Sequence, residues 1–85
     1  MVWSAIQIYD LLVDCKELGS KAAVVICRRL DLGKPIDGFL DSLLLINDII
    51  FSIEEGSSDL LEDDFDYLYA MYNKLLNKHN RYKGL

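Results

Sequence analysis

Residues 59–82 read DLLEDDFDYLYAMYNKLLNKHNRY, and this stretch decides the fold. Leu61, Phe65, Leu68, Tyr72, Leu75, His79 and Tyr82 recur at alternating spacings of four and three. That is the a/d seam through which a helix packs on its neighbours. The opposite stripe, Asp59, Asp63, Asp66, Ala70, Asn73, Asn77 and Asn80, is polar and is expected to face water. Acids crowd the start of the stretch, and Lys74, Lys78, Arg81 and Lys83 crowd its end. Both placements complement a helix macrodipole. The pattern predicts a helix over 59–81, capped by Ser57 or Ser58.

Three further helices are expected upstream. Over 36–55, Phe39, Leu43, Ile46, Ile50 and Ile53 share one face, widened by Leu40, Leu44 and Phe51. Pro35 suits the first turn, where its missing N–H does no harm. With only a narrow polar strip, this helix is expected to be the most buried. A shorter helix over 21–32, capped by Ser20, would place Ala23, Ile26, Cys27 and Leu30 on its core face. Its run Val24-Val25-Ile26 is β-branched, but no second strand is available to pair with it. The first helix is expected over 4–18, opened by a Ser4–Gln7 capping box. It shows two apolar stripes, one through Ala5, Ile8, Leu12 and Cys15 and one through Ile6, Tyr9 and Val13. Burial on more than one side would follow. Gly19, Gly33 and Gly56 each stand where a helix would end. The reading is all-α: one domain over 1–85, a compact bundle of four helices (4–18, 21–32, 36–55 and 59–81) with antiparallel neighbours.

Composition narrows the function classes. The 85 residues carry a net charge of −5. An acidic chain is a poor match for nucleic acid or an anionic lipid surface and is drawn to basic partners. No stretch reaches the length of a transmembrane span, and the first residues lack the charged and apolar regions of a signal peptide. A cytoplasmic location, bacterial or in a host cell, is expected. Hydrophobic residues make up 52% of the chain, enough to suggest apolar surface left over once a single core is filled. Cys15 and Cys27 form neither a metal pattern nor a disulfide framework and read as reduced, buried residues.

No constellation of catalytic residues stands out. His79 is the only histidine, and it reads as a bundle-edge residue making a local hydrogen bond rather than a zinc ligand or one half of a dyad. Asp64-Phe65-Asp66 begins a calcium-loop spacing but lacks the glycine and the closing glutamate. The segment 20–45 has the outline of a helix-turn-helix, yet it would offer Asp37 and Asp41 where a DNA reader needs Arg, Lys, Asn or Gln. No enzyme activity, cofactor or metal is expected.

The densest feature is the run from Glu54 to Asp66, with Glu54, Glu55, Asp59, Glu62, Asp63, Asp64 and Asp66 and no base among them. A solvated loop and an acidic helix start account for much of it. The functional reading makes these seven acids, with Tyr67 and Tyr69, a docking surface: acids steer a basic partner and rings supply contact area. In size, acidity and helical make-up the chain is similar to several kinds of small inhibitor. These include bacteriocin immunity proteins, antitoxins and phage-encoded anti-defence proteins; the resemblance is one of type and no motif carries it. It implies a stoichiometric inhibitor that masks a basic, nucleic-acid-binding surface of a partner protein. The alternative is a structural or adaptor module, a helical homodimer or assembly subunit held through Ile6, Tyr9 and Val13. A small enzyme or metal protein is the third reading, resting on the acid cluster and His79 alone.

Overall fold

The computed structural model describes residues 3–55 and 63–84 in full, together with the backbone of residue 62 in its helix. Among them are three helices and no strand: α1 (Ala5–Asp31), α2 (Phe39–Glu54) and α3 (Glu62–Tyr82). Each packs on the other two.

The expected break at Gly19-Ser20 is absent. Residues 4–18 and 21–32 belong to one helix, so the count is three rather than four. Gly19 is buried against α2, where a Cβ would stand 3.4 Å from Leu43 Cδ1. The glycine serves a close helix–helix approach, and the left-handed glycines among the described residues are Gly33 and Gly38. The core stripe Leu11, Cys15, Leu18, Ala22, Val25 continues through the position without a phase shift. An unbroken stripe can stay buried only if the helix is unbroken. Ser4 and Gln7 form the capping box as expected, and Gly33, at φ 69°, follows the far end.

The start of α2 also differs from expectation. Pro35 lies outside the helix; Gly38, at φ 75°, is the residue before its first turn. A left-handed φ is one that glycine adopts without steric cost. The segment between α1 and α2 is pinned from both sides. Arg29 Nε donates to the Pro35 carbonyl at 2.9 Å, and Lys78 Nζ donates to the Asp37 carbonyl at 2.9 Å. The expected cap of the last helix, at Ser57 or Ser58, lies outside the described residues.

Contacts fix the topology. Trp3 bonds Asp66 at the start of α3, and Arg29 stacks over Tyr82 at its end. So α1 and α3 run parallel. Gly19 meets Leu43 and Lys16 pairs with Glu54, so α2 runs antiparallel to both. The result is an up-down-up bundle measuring 42 × 20 × 17 Å. Its long dimension is that of α1, since 27 residues span about 40 Å.

The core is built from Leu11, Cys15, Leu18, Ala22, Val25 and Ile26 of α1, Phe39, Leu43, Ile46 and Ile50 of α2, and Phe65, Leu68, Leu75 and Tyr82 of α3. The a/d reading of α3 therefore holds at its described positions, with Tyr72 and His79 half-buried on the same face. Other expectations about burial fail. Cys27 and Leu30 are exposed rather than core residues. Ile6 and Tyr9, expected on a second buried face of α1, are exposed. α2, expected to be the most buried helix, leaves Leu40, Leu44, Leu45 and Phe51 reaching solvent. Three helices need one buried stripe each, and the extra apolar stripes are left outside.

Candidate protein-binding surface

The residues expected to form a docking surface do not all meet. Glu54 is paired with Lys16 of α1. Glu55 is exposed as the residue closing α2. Asp63 and Asp64 are exposed in the first turn of α3. Asp66 was expected to face water; instead it is half-buried and accepts a 2.7 Å bond from the Trp3 indole N–H. The bond ties the chain's N-terminal end to α3, and Asp66 is a structural residue. Asp59 and the side chain of Glu62 lie outside the described residues.

The two tyrosines part company. Two residues along a helix is rather more than half a turn, so their side chains leave on different sides. Tyr69 turns toward α1 and meets Trp3 edge-on, with ring centroids 5.8 Å apart. Tyr67 is half-exposed on the other side of the Asp63 stripe. Both rings stay about half-exposed, Tyr69 against Trp3 and Tyr67 on the other side of the acids.

The fold adds acids that the linear run does not contain. Because α1 and α3 are parallel, Asp10, Asp14 and Glu17 come to the same end as Asp63, Asp64 and Asp66. The antiparallel α2 brings Asp48, Glu54 and Glu55 there as well. Lys16 is the only base in this group of described residues, and it is paired with Glu54. The other end gathers Lys21, Arg28, Arg29, Lys34, Lys74, Lys78, Arg81 and Lys83, against Asp31, Asp37 and Asp41. The chain is therefore strongly polarised along its long axis. A sequence signal for this exists: α1 changes from acidic to basic along its length in the same sense as α3. Reading the acids as one linear run hides it.

Cys15 lies within the acidic end and His79 within the basic end. Burial, with Asp14 adding repulsion, pushes the Cys15 thiol up to about 12 and makes it inert as a nucleophile near neutral pH. His79 makes no local hydrogen bond, contrary to expectation; its Nδ1 is buried without a partner among the described residues. The ring packs near Phe39, at 6.5 Å between centroids. Burial first, then the charges of Lys83 and Lys21, hold the imidazole below its usual range. Among the described residues no group of three or more His, Cys, Asp or Glu is arranged to hold a metal ion, and no helix is long and apolar enough to cross a membrane.

Comparison with family models, with curated proteins and with solved structures finds no match.

Proposed function

We propose that this chain is a small protein-binding inhibitor, of the general kind represented by immunity proteins, antitoxins and anti-defence proteins. Its acidic pole would cover a basic, nucleic-acid-binding surface of a partner in a cytoplasm. The observation that carries the reading is the convergence of acids from all three helices on one end, with Tyr67 open beside them. A surface of one sign raises encounter rates with a complementary partner and disfavours others. Masking a surface by occupancy requires no catalytic group.

The test is affinity capture from native cell or host lysate at low salt, with elution by a salt gradient. A single basic protein binding one-to-one and leaving as salt rises is the expected result. The informative variant is Glu55→Lys/Asp63→Lys/Asp64→Lys, which spares Asp66 and so leaves the Trp3 tether intact. Three reversals should weaken capture about tenfold or more at low salt, with helicity unchanged. Equal retention by the variant, or recovery of nothing but the chain itself, would overturn the reading.

A further inference from the structure

The outer surface where α1 meets α2 is the least explained part of the molecule. On α1, Ile6, Tyr9 and Val13 continue through Ser20 to Val24 and Cys27, a stripe on the side away from the core. Ile6 is 74% exposed and Tyr9 67%. On α2, Leu40, Leu44 and Phe51 form a second exposed stripe, with Phe51 at 65%. An open groove lined by Lys16, Gly19, Ser20, Ala23, Leu43 and Asn47 runs between the stripes. The groove floor is made of small or short residues near the midpoint of α1. Two exposed apolar stripes on a small chain, here flanking a groove that also carries Lys16, Ser20 and Asn47, mark a protein contact.

We propose that this face is covered by a second copy of the chain, packed antiparallel about a two-fold axis. The axis would cross the groove at the level of Ser20, perpendicular to the helices. The charge distribution selects both the occupant and the direction. A two-fold axis along the helices would set acidic pole beside acidic pole and basic beside basic. A transverse axis reverses the second copy, so that Asp10, Asp48 and Glu55 of one lie toward Arg28 and Lys34 of the other. Opposite poles side by side attract, and each copy supplies both halves of the match.

The geometry of the stripes agrees with the same axis. Rotation about the level of Ser20 lays α1 on α1 of the second copy and α2 on α2. Val13 of one copy then meets Cys27 of the other. Gly19 lies beside Leu43 and Asn47, so the same level on α2 falls between those residues. The rotation therefore carries Phe51 to Leu40 of the second copy. The stripes are self-complementary, as an isologous contact requires. The exposed acids of α3 and Tyr67 lie on the far side, so Glu55 is the one residue that this contact shares with the variant testing the inhibitor reading, and Leu44→Glu and Val13→Cys touch none of that variant's positions.

Sedimentation equilibrium and cysteine cross-linking test the arrangement. The wild type is expected to behave as a reversible dimer at submillimolar concentration, weakened as salt rises because opposed poles are screened. Leu44→Glu, at an exposed position, should weaken association at least tenfold while circular dichroism stays the same. Val13→Cys should form a covalent dimer on mild oxidation, since antiparallel packing brings the new thiol to Cys27 of the second copy, within disulfide reach. That band should vanish in Val13→Cys/Cys27→Ser. A wild type that remains monomeric, a Leu44→Glu variant that still dimerises, or a cross-link that survives loss of Cys27 would each overturn the proposal.

Discussion

The two flanks of α1 differ sharply although one helix supplies both. Toward α3, the groove is lined by Asp14, Glu17, Lys21, Tyr72, His79 and Lys83, and charge and aromatic edges face water. Toward α2, it is lined by Lys16, Gly19, Ser20, Ala23, Leu43 and Asn47, with Tyr9 and Phe51 exposed on either side. The α3 flank is finished as a solvated surface. The α2 flank leaves large apolar side chains, Tyr9, Leu44 and Phe51, exposed beside its groove. A third helix closes one core, and the chain has no fourth described helix to cover the second apolar face. The comparison separates burial that holds the monomer together from apolar surface that does not.

The sharpest way to break that distinction is by truncation on the two sides. Leu68 is fully buried between α3 and the core. Leu68→Ala should cost about 3 kcal/mol of unfolding free energy, from lost transfer energy and the cavity left behind. Phe51 is larger, yet Phe51→Ala should cost less than about 1 kcal/mol in dilute, monomeric protein, as at most surface positions. Urea unfolding of both variants decides the matter. Equal losses would mean that Phe51 is part of the monomer's core.

A smaller effect of opposite sign sharpens the reading of the α2 flank. Gly19 lies inside α1, where glycine is unfavourable relative to alanine by about 1 kcal/mol. The Cβ of Gly19→Ala would make an ordinary contact with Leu43, at 3.4 Å. The substitution should therefore stabilise the fold by up to about 1 kcal/mol, measured by thermal unfolding. Destabilisation would show that the helices are packed too closely there to accept a methyl group.

The least effect is expected from the α3 flank, through His79. Its imidazole is held below the ordinary value of 6.5 in the folded chain, by burial first and then by Lys83 and Lys21. The unfolded chain therefore takes up a proton at a higher pH than the folded one. Stability is full above about 6.5 and declines as pH falls below it. His79→Gln should flatten that part of the profile. An unchanged slope would assign the dependence to carboxylates instead.

Much of this was legible in the sequence, in particular places. The spacing of Phe65, Leu68, Leu75 and Tyr82 reads directly as the α3 seam, because a buried stripe must repeat with the helix period. The Ser4–Gln7 box needs only local geometry and is present. Gly19-Ser20 misleads because glycine followed by serine is both a stop–start signal and a way to bring two backbones close. The continuing phase from Leu18 to Ala22 was the stronger clue. Ile6, Tyr9, Leu44 and Phe51 illustrate the other difficulty. Periodicity marks an apolar face, but the number of helices available to cover it is a property of the whole fold. Of the residues read as a docking surface, Glu55, Asp63, Asp64 and Tyr67 are exposed. Asp66 bonds Trp3, a residue sixty-three positions away that local patterning cannot connect to it, and Tyr69 packs edge-on against the same indole while staying half-exposed.

The elongated shape has a hydrodynamic consequence. Helix N–H bonds lie along the helix axes, and all three axes here follow the 42 Å dimension. Almost every amide vector thus points along the slow-tumbling axis, so backbone ¹⁵N relaxation should report nearly one correlation time, longer than that of a sphere of equal mass. The monomer should also elute early in gel filtration. Pairing two such rods side by side makes a rounder particle, and the elution volume would then shift by less than a doubling of mass suggests.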